Sequence, residues 1–263
     1  MFKKLLFVFA LSAAAGCSSV PITGRNQLSL VSDQEINSMA AQEYQKVLQT
    51  SRVSGNAQQT AMVRQVGQRI QQAVETYFRQ QNQSGQLEGY SWEYNLLEDP
   101  QQNAWCMPGG KVAVYTGILP ITQDENGLAV VMGHEIAHAV ARHANERMSQ
   151  QMAAQGLGGV LSAAVGQNPS ATQNIFLQAV GAGSQVGLLK FGRDQESEAD
   201  RLGLIFMAMA GYNPEGSVAF WQRMAANDQG GNIEFLSTHP SSATRIADIQ
   251  RLLPEAQKYY TAR

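Results

Sequence analysis

The sequence predicts an α+β fold, mostly helical, with a small three-stranded sheet beside one long apolar helix. Three observations carry this. Apolar residues recur at helical spacing behind cap signals over most of the chain. Three short runs rich in β-branched and aromatic residues cluster between Tyr90 and Tyr115. Beyond them lies Val131–His143, VMGHEIAHAVARH, where apolar residues flank a histidine pair.

The chain has 263 residues and a net charge of −2, which argues against a nucleic-acid partner. Its two cysteines are Cys17 and Cys106. The first falls in a targeting segment, so no internal disulfide is expected in the mature chain.

Met1–Cys17 has a basic start, Lys3 and Lys4, and an apolar run, Leu5–Leu11, too short to span a bilayer. It closes on Ala14-Ala15-Gly16-Cys17. This resembles a bacterial lipoprotein signal peptide, although a Leu is usual where Ala14 stands. The resemblance implies cleavage before Cys17 and acyl chains on Cys17, a stable membrane anchor. Ser18 after the Cys implies the outer membrane, facing the periplasm. The expected organisation is a signal peptide over 1–16, a lipidated tether over 17–31 and one domain over 32–263.

Ser32-Asp-Gln-Glu35 reads as a capping box opening a helix from Asp33 to Gln49, with Val31 and Ile36 placed for a hydrophobic staple. Met62, Val66, Ile70, Ala73, Val74 and Tyr77 predict a second helix over Gln59–Gln80. Strands are expected at Tyr90–Leu97, Asn103–Met107 and Lys111–Tyr115, the last two joined by Pro108-Gly109-Gly110. Thr122-Gln-Asp-Glu125 reads as the capping box of the histidine helix, which is expected to continue past Arg147. Met152–Leu189 reads as two helices around Asn168-Pro169-Ser170, scaffold or lid. Arg193–Ala210 is a helix closed by Gly211, and Asn213-Pro214 starts another to Ala226. The last helix is expected over Ser242–Leu253, stopped by Pro254.

His134-Glu-Ile-Ala-His138 is an HExxH pattern. A helix turns about 100° per residue, so both imidazoles share one face and can reach one Zn²⁺ at roughly 2.0–2.1 Å. Glu135, about 100° round the helix, suits a general base acting on a water. A catalytic zinc takes three protein ligands and keeps an open position. His143 falls about 140° from His138 on the wheel and is expected to face away. The third ligand is then His239 or a carboxylate of Glu196-Ser-Glu198-Ala-Asp200. Glu196 and Asp200 share a helix face, so one suits ligation and the other a hydrogen bond to a ligand imidazole. Periodicity leaves Glu196 and Glu198 undecided.

HEIAH, ESEADRLG and THPSSATRI, in this order, resemble the zinc metallopeptidases that include HtpX and the CAAX prenyl proteases. The likeness is greatest to the Oma-like and β-barrel-assembly-enhancing members and runs from Leu28 to Leu253. It implies a zincin-type domain with one Zn²⁺ on His134, His138 and Glu196, and Asp200 behind them. The transmembrane helices and the helical-repeat domain of some members are absent from the sequence. The resemblance also implies that Asn103, Ala104, Trp105, Cys106 and Met107 form a strand beside the active-site helix, where an extended substrate can pair. Cys106 itself reads as a small hydrophobe. His239, by the same likeness, lies near the metal, either assisting catalysis or occupying the water site.

The expectation is a zinc-dependent metalloendopeptidase of the cell envelope, acting on unfolded or misassembled envelope proteins, with the outer-membrane assembly machinery as a candidate partner. The alternatives are a zinc amidase acting on cell-wall peptides and a chaperone-like binding module with a latent protease.

Overall fold

The computed structural model describes residues 17–20, 23–154, 169–180, 192–228, 233, 235–236, 239 and 243–262. A hairpin of β1 (Cys17–Ser19) and β2 (Asn26–Leu28) precedes α1 (Asp33–Thr50) and α2 (Ala57–Gln80). Three strands follow: β3 (Glu93–Leu97), β4 (Ala104–Met107) and β5 (Lys111–Tyr115). The rest is helical: α3 (Leu119–Thr122), α4 (Glu125–Val140), α5 (His143–Ala154), α6 (Pro169–Val180), α7 (Arg193–Met209), α8 (Gly216–Asn227) and α9 (Ala243–Ala256). The α+β expectation is met.

The sheet has the order β3-β5-β4, with β3 parallel and β4 antiparallel to β5. β4 is thus an edge strand, and α4 packs against it. Every residue of α4 from Gly127 to Val140 is buried, as an all-round apolar helix requires. Its neighbours are α7, α2, α8 and β4. A second apolar cluster, with Tyr44, Trp105, Met148 and Phe176, joins α1, the sheet, α5 and α6.

The Ser32–Glu35 capping box forms as expected. The one at Thr122 does not. Thr122 closes the short α3, its hydroxyl donating to Leu119 O at 3.1 Å. Asp124 caps α4 instead, accepting from Gly127 N at 2.8 Å. Nor does the histidine helix run past Arg147. It ends at Val140, and Arg142 adopts φ 61°, a left-handed turn from which α5 departs in a new direction. In the last helix Pro254 lies inside α9, two residues before its end, so its missing N–H affects only the final turn.

Residues 17–31, expected as a tether, carry the hairpin and are fastened to the body. Leu30 N donates to Ser149 Oγ at 2.8 Å and Asn145 Nδ2 to Val31 O at 2.9 Å. Val20 joins the main core. The signal-peptide reading of residues 1–16 falls outside the described residues, as does most of the lid reading of Met152–Leu189. Among the described residues, no helix is long and apolar enough to cross a membrane.

Candidate active site

α4 supplies half of the site. His134 and His138 bring their Nε2 atoms to 3.0 Å of each other. α7 supplies the other half because it crosses α4 very closely, Gly203 against Gly133. A Cβ on Gly203 would stand 2.9 Å from His134 N. Only glycines permit that approach, and it carries the first turns of α7 to the histidines. Glu196 Oε1 lies 3.3 Å from His138 Nε2, and its Oε2 3.5 Å from His134 Nε2.

His239 enters from the segment between α8 and α9. Its Nδ1 is 2.8 Å from Glu196 Oε1 and 3.1 Å from His134 Nε2. Phe235 stacks on its ring at 4.7 Å. One donor atom from each of His134, His138, Glu196 and His239 lies within 4.8 Å of the others, and all four residues are buried.

These donors fit a metal ion. Three imidazoles and a carboxylate gather their donor atoms in one buried cluster, a donor set that suits a divalent cation. Burial lowers the His138 pKa well below the ordinary value, leaving its ring neutral. Burial acts the same way on His134, but Asp200 and Glu196 outweigh it and raise that ring to about 9, so metal loading displaces a proton there. Burial would raise Glu196, yet His239 and His134 hold it well below the carboxylate range.

Glu135 sits beside the cluster. Its Oε1 is buried and accepts no hydrogen bond from the described residues, with His239 Nε2 at 3.4 Å. Burial raises its pKa, countered in part by His239 and His134. Asp200 Oδ1 lies 3.0 Å from His134 Nδ1, so it accepts that proton and leaves Nε2 free for the metal. Asn103 precedes β4, and its carbonyl extends the ladder by accepting from Tyr115 N at 3.1 Å. Ala104, Trp105, Cys106 and Met107 form β4 itself. Cys106 is a free thiol whose pKa burial raises, away from the reactive thiolate. Cys17 opens β1, opposite Leu28.

Two groups were not legible as site residues. Arg245 of α9 sets its guanidinium carbon over Trp221, 3.7 Å from the ring centre. It donates to Asp200 through Nε at 2.8 Å and Nη2 at 2.7 Å, and pairs with Glu196 Oε2 at 2.9 Å. Its only sequence signal is its place in THPSSATRI. His143 was expected to face away, and instead its Nδ1 lies 2.7 Å from His138 Nδ1. The helical wheel fails because the helix stops between the two, at Arg142.

The sequence matches the profile of peptidase family M48 over residues 64–253. The chain belongs to that family. It is an M48 metallopeptidase, and the four-donor cluster lies within the matched region. It is 42% identical over 168 residues to the mitochondrial metalloendopeptidase OMA1 of Schizosaccharomyces pombe, covering 63% of this chain and 48% of the relative. To the Saccharomyces cerevisiae protein of the same name it is 39% identical over 184 residues, 66% and 50% of the two chains. The beta-barrel assembly-enhancing protease of Yersinia pestis is 30% identical over 178 residues, 65% and 36%. The chain thus spans about half the length of the OMA1 relatives or less.

These relatives correct one expectation. The leader placed the chain at a bacterial outer membrane facing the periplasm. The relatives in yeasts, a plant and vertebrates, 29% to 42% identical, carry mitochondrial names, and the outer-membrane placement does not stand. The physical reason is that a short basic, apolar leader is an address read by a receptor, and its composition does not by itself specify the membrane.

Proposed function

We propose that this M48 chain is a zinc-dependent endopeptidase that cuts unfolded or misassembled polypeptides and is held latent by His239. The observation that carries the reading is the buried cluster of His134, His138, Glu196 and His239, with Glu135 beside it. Three of these donors match the usual His, His, Glu set of a catalytic zinc site, and the fourth stands where such a site keeps its open position.

Bound there, zinc supplies the Lewis acidity that makes a water nucleophilic at neutral pH and polarises the scissile carbonyl. Glu135 removes the proton from that water and returns it to the leaving amine. Its raised pKa suits both halves of the task. Asp200 fixes the tautomer of His134, and Arg245 holds Asp200 in place by its paired donors. β4 is an edge strand of its sheet, so its outer backbone groups suit an extended peptide with little demand on sequence. That tolerance supports unfolded chains as the substrate class. Latency is supported by the position of His239 and by Phe235, whose N–H donates to Gln102 O at 3.2 Å, just ahead of β4.

The test is cleavage of casein by wild type and Glu135→Gln, each with and without a chelator. Wild type is expected to cleave slowly, and both the substitution and the chelator to abolish cleavage. Zinc binding without cleavage by wild type or His239→Ala would favour a binding module. Cleavage of cell-wall peptides but no protein would favour an amidase.

A further inference from the structure

His138 has both ring nitrogens engaged. Nε2 faces the metal cluster, 3.0 Å from His134 Nε2, so the ring proton belongs on Nδ1. Nδ1 points 2.7 Å to His143 Nδ1, which must then accept. The remaining His143 proton, on Nε2, is donated to Glu198 Oε2 at 2.9 Å. Glu198 also accepts from the Thr23 hydroxyl and, at 2.9 Å, from Arg25 Nε. Arg25 uses its outer nitrogens as a fork on Glu146 of α5, at 2.7 and 2.8 Å. Every donor in this line meets an acceptor, and only one tautomer of each ring allows that.

We propose that His143, Glu198, Thr23 and Arg25 are positioning residues for the metal centre, by which the N-terminal hairpin sets the tautomer and ring plane of His138. The inference rests on the reading of the cluster as a metal site. None of the four residues is among the four-donor cluster. They reach the metal site through His138, as Asp200 acts on His134 from the other side. The hairpin and the metal are therefore linked. A bound ion favours the docked hairpin, and a docked hairpin tightens the ion by the same factor. Glu198, undecided against Glu196 from periodicity, has this second role rather than ligation.

The line is tested by zinc affinity, measured by competition with a chromogenic chelator, and by the visible spectrum of the Co²⁺-loaded protein. His143→Leu is expected to weaken zinc binding about 10–100-fold. His143→Asn, whose Oδ1 can accept where Nδ1 did, is expected to recover most of that loss. Arg25→Ala, at a half-buried position less costly to the fold, is expected to weaken binding several-fold and to alter the Co²⁺ spectrum while far-ultraviolet circular dichroism stays unchanged. Wild-type affinity and spectrum in Arg25→Ala, or equal losses in His143→Leu and His143→Asn, would overturn the inference. A wild type that binds no zinc would overturn the metal reading along with it. Should His143→Leu not fold, Arg25→Ala decides alone.

Discussion

Gly133 and Gly203 stand backbone to backbone where α4 crosses α7: a Cβ on the first would lie 3.0 Å from Gly203 O, and a Cβ on the second 2.9 Å from His134 N. The metal site depends on that contact, since Glu196 and Asp200 reach the histidines from two turns or less along the same helix. Gly203→Ala is expected to push the helices apart, destabilise the protein by about 1–3 kcal/mol and weaken zinc binding. Denaturant unfolding and a zinc titration measure both. Unchanged values would mean that the crossing has slack.

Arg245 is buried against Trp221 and pairs with two carboxylates. Removing it leaves Asp200 buried without its main cation. Arg245→Ala is expected to cost about 3–5 kcal/mol in unfolding free energy. Arg245→Lys recovers only part, because an ammonium cannot reproduce the fork on Asp200. Full recovery by Lys would show that charge alone matters there.

His239 faces Glu196 through Nδ1 and Glu135 through Nε2 at once. His239→Ala is expected to raise casein cleavage by freeing the position a substrate carbonyl or water must take. Collapse of activity would assign the residue to catalysis, and an unchanged rate would remove it from both roles.

Acid should loosen the hairpin. Burial pushes Glu146 up, but Arg25 and Gln195 outweigh it and hold its carboxyl below the ordinary value. Burial likewise raises Glu198, and His143, Thr23 and Arg25 outweigh it. Carboxyls lowered in the fold contribute stability that is complete above the unfolded value, about 4.3 for Glu, and is lost as pH falls through the folded values. The melting-temperature gap between wild type and Arg25→Ala is therefore expected to be full at neutral pH and to close below about pH 4. A gap constant down to that range would separate Arg25 from these carboxylates.

The regular helices and the sheet were legible because periodicity and caps are local. Ser32 and Glu35 mark one helix start within four residues, and Lys111–Tyr115 emerges with the expected bounds. The HExxH pair was legible for the same reason, both imidazoles lying on one turn. What escaped depends on changes of direction. The left-handed Arg142 gives no composition signal, so His143 was projected along a helix that had ended. Thr122 and Asp124 both satisfy a cap pattern, and only the short α3 decides between them. Arg25 and Arg245 join the site from opposite ends of the chain, and no spacing rule links Arg25 to Glu198, 173 residues away.

The wide sequence separation of the site also bears on how the protein is made. Arg25 must wait for Glu198, and His134 for Glu196 and Arg245, before their contacts can close, and folds rich in contacts of such separation form slowly. A nascent chain carries HEIAH long before it carries ESEAD or Arg245. The centre therefore cannot be complete until the chain has been made through Arg245, and HEIAH alone, without the α7 carboxylates, is only half of the donor set.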